Sequence, residues 1–195
     1  MERRELLRWL AATAGLASLE ALAPEDLLAL GREVHAGAAS RSVLSPAETR
    51  VLRLAAERIL PASDTPGATD AGVVEFIDRM LANWFAPAER ERFLTGLPEL
   101  DQRSRDRSGR DFADAPDAEQ VAILTALDEE LSALRQAGRG GAANQHWFGM
   151  LKYLTVYGYF TSEVAARKTL GSYPLPGRFD GCAPYQVPIA APTRP

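Results

Sequence analysis

Residues 146–170, HWFGMLKYLTVYGYFTSEVAARKTL, form the longest apolar run in the chain and are dense in aromatic rings. A helix that is apolar on nearly every side has no face to give to water, so other elements have to surround it. The segment therefore predicts a central helix, with Trp147, Leu151, Leu154, Tyr157 and Val164 along one side and Gly171 as its stop. With 195 residues, 46% of them hydrophobic and 25% charged, the chain has material for one such core.

The surroundings also read as helix. Ser45-Pro46-Ala47-Glu48 is a capping box with proline at the first helical position, and Leu52, Ala55, Ala56, Ile59 and Leu60 follow at helical spacing until Pro61. PASDTPGATDAG is dense in turn formers and reads as an ordered loop. A second stripe, Val73, Ile77, Met80, Leu81 and Trp84, comes next. A third helix starts near Pro87 and buries Phe93, Leu97 and Leu100, with Pro98 bending or dividing it. Residues 101–111, DQRSRDRSGRD, read as a solvated helix end and loop. Pro116 opens a fourth helix whose buried face is Val121, Leu124, Leu127, Leu131 and Leu134, closing at AGRGGAAN. No segment sustains a period-two alternation between hairpin turns, and no repeat of about 20–50 residues is evident. The expectation is an all-α domain of about five helices over residues 44–171. A Leu/Ala/Gly-rich connector, 24–43, with a helical turn at 24–32 precedes it, and an irregular Pro/Gly-rich tail, 172–195, follows it.

The N-terminus, MERRELLRWLAATAGLASLEALAPEDLL, places adjacent Arg3 and Arg4 before two leucines and a mildly apolar stretch from Trp9 to Leu19. That is the layout of a twin-arginine export signal over residues 1–23; the alternative is an amphipathic helix that happens to begin with two arginines. The stretch is much shorter than the ~20 residues a membrane-spanning helix needs. Ala21-Leu22-Ala23 offers a small-residue cleavage site, but Pro24 follows it at once and has no amide N–H to offer. Twin-arginine export carries proteins already folded, which raises the question of what cofactor or cargo this one carries.

Motifs for chemistry are sparse. There is no GxSxG, GxGxxG, GxxxxGK[ST] or CxxCH, and one cysteine with two distant histidines does not make a structural zinc site. GRGG at 138–141 follows no strand and reads as a hinge. His35 lies in the connector and His146 beside Trp147 at a helix start, where a structural role is commoner than that of a general base. Asp64, Asp70, Glu75 and Asp78 read as surface charge. A formal net charge of −4, with basic and acidic residues interspersed, argues against nucleic acid as a partner. No cofactor site is expected in this chain.

The single cysteine, Cys182, sits in SYPLPGRFDGCAPY, a stretch that cannot be helical. In an exported chain an odd cysteine points to a partner chain or to a free thiol. Prolines 174, 176, 184 and 188 pre-set the tail's backbone, Tyr173, Phe179 and Tyr185 offer aromatic anchors, and Arg178 and Asp180 add polar reach. Such a tail suits another protein's surface, or folds back on its own helices.

Three segments together resemble the gluconate 2-dehydrogenase subunit 3 family: LSPAETRVLRLAAERILPASDTPGATDAGVVEFIDRML, FADAPDAEQVAILTALDEE and YLTVYGYFTSEVAARKTLGSYPLPGRFDGCAPY. The resemblance covers about residues 44–186 and includes the twin-arginine start; it departs at Ala165, where a glycine is usual after TSE. It implies the small subunit of a membrane-associated sugar or polyol dehydrogenase. In such complexes a large subunit of the glucose-methanol-choline type holds FAD, a multihaem cytochrome subunit takes the electrons, and the small subunit carries the export signal for the folded large one. It also implies a periplasmic location. By position it sets Cys182, with Arg178, Phe179, Asp180 and Tyr185, against the large subunit, Cys182 being a candidate for an intersubunit disulfide. The competing reading is a free-standing exported enzyme or ligand-binding module, built from His146, the nearby aromatics and a carboxylate such as Glu163.

Overall fold

The computed structural model describes residues 22–37, 42–138, 141–142 and 145–170. Seven α-helices and no strand occur among these residues: α1 Pro24–Ala36, α2 Pro46–Ile59, α3 Val73–Asn83, α4 Pro87–Gly96, α5 Pro98–Ser108, α6 Asp117–Gln136 and α7 Trp147–Thr161. A 3-10 turn, Phe112–Asp114, precedes α6, and a π-helical turn, Ala165–Thr169, follows α7.

The centre is α7, as its composition requires. Trp147, Phe148, Met150, Leu151, Tyr153, Leu154, Tyr157 and Tyr159 are all buried, and α1, α2, α3, α4 and α6 pack around them. Small residues set the closest approaches. A Cβ on Gly158 would lie 2.7 Å from Phe76 Cδ1 of α3, and one on Gly96 would lie 2.1 Å from Trp147 Cγ. The capping box of α2 forms as its sequence dictates: Ser45 Oγ accepts the Glu48 N–H, and the Glu48 carboxylate accepts the Ser45 N–H.

Seven helices replace the expected five, for identifiable reasons. Pro98 divides the third helix into α4 and α5, one of the two outcomes its sequence allowed. The polar stretch 101–108 is helical because its charges find partners: Arg103 pairs with Glu99 within the helix and with Glu130 outside it, and Arg105 meets Asp111. The connector is the larger difference. Its expected turn is the full helix α1, which buries Leu27, Leu30 and Val34 against α3 and α7.

Two stripes also shift. Trp84 lies at the end of α3 and is 43% exposed, and Val121 is 46% exposed. On α6 the buried face instead includes Gln120, whose amide donates to the Phe112 and Ala115 carbonyls and so closes the 3-10 turn beneath it. The central helix stops at Thr161, ten residues before Gly171, because Ser162 takes an extended conformation (φ −69°, ψ 150°).

Candidate functional site

The end of the molecule where α7 stops gathers two of the motif-bearing stretches. Tyr159, in the last turn of α7, directs its hydroxyl to the Pro66 carbonyl at 2.8 Å and to Thr169 Oγ1 at 2.8 Å. One side chain thus ties the loop between α2 and α3 to the π-helical turn. Ser162 Oγ donates to the Tyr159 carbonyl at 2.7 Å and accepts the Ala165 N–H at 3.1 Å, which turns the chain into that final turn. Its last described residue, Leu170, is 41% exposed.

The loop is held from below by Glu57. Its carboxylate accepts the Ala62 N–H at 3.0 Å and the Thr69 N–H at 2.9 Å. Burial alone would raise this carboxyl, but these bonds, together with the Thr69 side chain and nearby Arg58, hold it below the usual range. Asp70 accepts the Gly67 N–H, and Ala68 N–H donates to the Leu60 carbonyl at 2.9 Å. Gly67 suits glycine, since a Cβ there would come within 2.7 Å of the Ala62 backbone nitrogen as well as against the Glu57 carboxylate. Gly72 starts α3 at φ +67°, where glycine is favoured. Pro61 through Asp64, Thr69 and Asp70 remain exposed on this braced frame. A solvent-facing loop held by these bonds next to the turn that ends α7 is suited to binding, because little further ordering is needed on contact.

The residues singled out by sequence divide. Arg3, Arg4, Arg178, Phe179, Asp180, Cys182 and Tyr185 lie outside the described residues. His146 and Glu163 do not form one pocket: they flank opposite ends of α7, whose 15 residues span about 22 Å at 1.5 Å per residue. His146 caps α7 by accepting the Phe148 N–H, and Glu163 pairs with Arg167 at 2.7 Å. Burial lowers the His146 pKa, while Glu99 and Glu130 oppose that shift. His35 is equally structural. Its Nε2 lies 2.8 Å from the Gly158 carbonyl and its ring stacks on Phe76.

Of the four loop-region carboxylates, Glu75 pairs with Arg53, whereas Asp78 accepts the Val43 and Leu44 N–H groups and fixes the chain's entry into α2. Sequence reasoning missed Glu57 and Tyr159 as brace residues. Glu57 next to Arg58 on an amphipathic helix looks like any surface charge; only the turn formers that follow it hint at donors in need of an acceptor. Among the described residues, no group of three or more His, Cys, Asp or Glu side chains could hold a metal ion, and no helix is long and apolar enough to cross a membrane.

The comparison with protein families decides what this frame belongs to. The family model described as gluconate 2-dehydrogenase subunit 3 matches residues 46–177, more than half the chain. The chain belongs to the gluconate 2-dehydrogenase subunit 3 family. No curated protein and no solved structure matches it. The match to subunit 3 takes in α2 through α7, the braced loop and the first residues of the tail, and leaves out α1. Membership marks the chain as one subunit of a dehydrogenase complex, in an accessory position.

Proposed function

We propose that this chain is the non-catalytic small subunit of a periplasmic, FAD-dependent sugar or polyol dehydrogenase. It escorts the folded catalytic subunit through twin-arginine export and then stabilises it. The observation that carries this reading is the subunit 3 match over residues 46–177. The braced loop 61–72 and the turn over Ala165–Thr169 support it, because they present a pre-ordered surface at the point where the chain continues in sequence into the prolines and aromatics of residues 172–185. FAD belongs to the large subunit, of the glucose-methanol-choline type, and haem to a multihaem cytochrome subunit. The complex brings the chain to the membrane. Cys182, with Arg178, Phe179, Asp180 and Tyr185, meets the large subunit, and Cys182 bridges to it by a disulfide. Arg3 and Arg4 carry the export signal.

The test is to tag the C-terminus, isolate the protein from the native cell envelope, and compare gels run with and without reductant. A large yellow flavoprotein that co-purifies, and separates only on reduction, is the expected result. Emergence of the chain alone as a stable monomer overturns the escort reading. A flavoprotein that co-purifies but separates without reductant overturns the Cys182 bridge only.

A further inference from the structure

Trp84 closes α3 with its ring partly in water. It is the one exposed aromatic residue among the described residues, and its indole N–H has no hydrogen-bond partner among them. Tryptophan offers the largest apolar surface of any side chain together with a polar edge, and it is enriched among the residues that carry most of the energy of protein–protein contacts.

The backbone under the ring is fixed on both sides. The main-chain N–H groups of Trp84 and Phe85 both donate to the Met80 carbonyl, at 3.0 and 3.2 Å, and the Phe85 side chain is buried. Beyond it, the Glu89 carboxylate accepts the Ala86 N–H at 3.2 Å, and the Ala86 carbonyl accepts the Arg90 N–H at 3.0 Å. Arg90 Nη1 reaches the Leu81 carbonyl at 3.4 Å and ties α4 back to α3. A ring presented by such a turn needs little further ordering on contact.

Its surroundings choose the kind of partner. Ala86, Pro87 and Ala88 are exposed beside Trp84 and carry no charge, and Arg90, Glu91 and Arg92 follow on α4 with charges of both signs. An uncharged centre with a mixed polar rim is the anatomy of a protein–protein contact. An anionic lipid surface would favour the arginines and repel Glu91.

We infer that the turn over residues 83–88 is a second docking point for the catalytic subunit, separate from the tail. The partner receives the Trp84 ring in an apolar pocket that holds an oxygen acceptor for the indole N–H, and it meets Glu91 and Arg92 with opposite charges. This rests on the proposed function. The turn and the braced loop 61–72 lie at opposite ends of α3, whose 11 residues span about 16 Å. That distance fits within one interface of ordinary size, about 800 Å² a side, so a single partner can cover both.

The experiment is hydroxyl-radical footprinting of the full chain, tagged at its C-terminus, alone and in the complex isolated from the native cell envelope. Trp84 is expected to be oxidised in the free chain and protected about tenfold or more in the complex, with buried Trp147 as the internal reference. Equal oxidation in both overturns the inference while leaving the proposed function intact. Protection in the free chain together with a doubled mass gives the face to a second copy, and protection only on phosphatidylglycerol vesicles gives it to lipid; either result overturns the catalytic subunit as occupant. If no flavoprotein accompanies the wild-type chain, the proposed function fails and this inference falls with it. Retention of the flavoprotein, measured with reductant so that a Cys182 bridge plays no part, supplies the second readout. Trp84→Ala is expected to speed its loss about tenfold or more. Ala88→Arg, which removes no buried atom, is expected to do the same at an unchanged melting temperature, whereas Val121→Arg on exposed α6 surface leaves retention as in the wild type. Retention in A88R equal to that in V121R overturns the docking point.

Discussion

Gly158 serves two neighbours at once. Its missing side chain lets the Phe76 ring lie against the α7 backbone, and its carbonyl receives His35. Phe76 is fully buried between Tyr157 and His35, so it cannot retreat from an added methyl group. Gly158→Ala therefore costs about 1–3 kcal/mol from overpacking, less up to about 1 kcal/mol returned by alanine's helix propensity. The net loss reads as a lower urea midpoint at unchanged slope. Gly141→Ala, where a Cβ meets nothing within 4 Å, is the matching control and is expected to leave the midpoint in place.

His35 gives this region a pH dependence with a definite sign. Burial lowers its pKa and Arg79 lowers it further, against the raising effect of the Gly158 carbonyl. The folded state therefore takes up the proton less readily than the unfolded chain, whose histidine titrates at about 6.5. Stability is complete above that value and falls as the pH drops below it. His146 is shifted the same way by burial, so both histidines contribute. His35→Gln keeps a donor for the Gly158 carbonyl and is expected to flatten the decline in melting temperature between about pH 6.5 and 5. An unchanged slope in H35Q would assign the dependence to His146 alone.

Among the elements, α1 shows where legibility ended. Its stretch, PEDLLALGREVHA, carries leucines at helical spacing, but Gly31 in the middle weakens the helical signal by up to about 1 kcal/mol relative to alanine. The compensation is tertiary: Gly31 is where α1 crosses Thr161, a contact that no local pattern announces. The polar helix α5 was hidden for a related reason, since Arg103 meets Glu130 of a helix far along the sequence. Elements whose signals are local were legible: the Ser45 capping box, the proline starts of α2 and α4, and the all-round apolar α7. The candidate site was legible only in its motifs, because the Glu57 and Tyr159 braces depend on folding.

If α1 is integral to the core, truncating one of its buried leucines carries a core penalty. Leu27→Ala is expected to cost about 2–5 kcal/mol, the range for a fully buried leucine. Glu25→Ala, exposed in the same turn, is expected to cost less than about 1 kcal/mol. Equilibrium urea unfolding of the two variants checks this. Equal, small effects would return α1 to the role of a connector.

For the molecule as a whole, the question is whether the tail belongs to the core or to a partner. Helices α1, α2, α3, α4 and α6 surround α7, and Tyr153, Tyr157, Phe76, Phe93, Phe112 and Phe148 are fully buried. A core with this many helices around one centre is expected to stand without the tail. Tyr159 ties Thr169, near the last described residue, to the Pro66 carbonyl of the exposed loop. A chain ended after Leu170 is therefore expected to melt within about 2 °C of the full chain, less than ~1 kcal/mol for a domain of this size. On the proposed function, the same truncation is expected to abolish capture of a flavoprotein, and Cys182→Ser to remove only the reductant-sensitive part of that capture. A large fall in melting temperature would make the tail part of the fold, leaving the loop 61–72 alone to meet a partner; capture that survives truncation would move the interface away from the tail altogether.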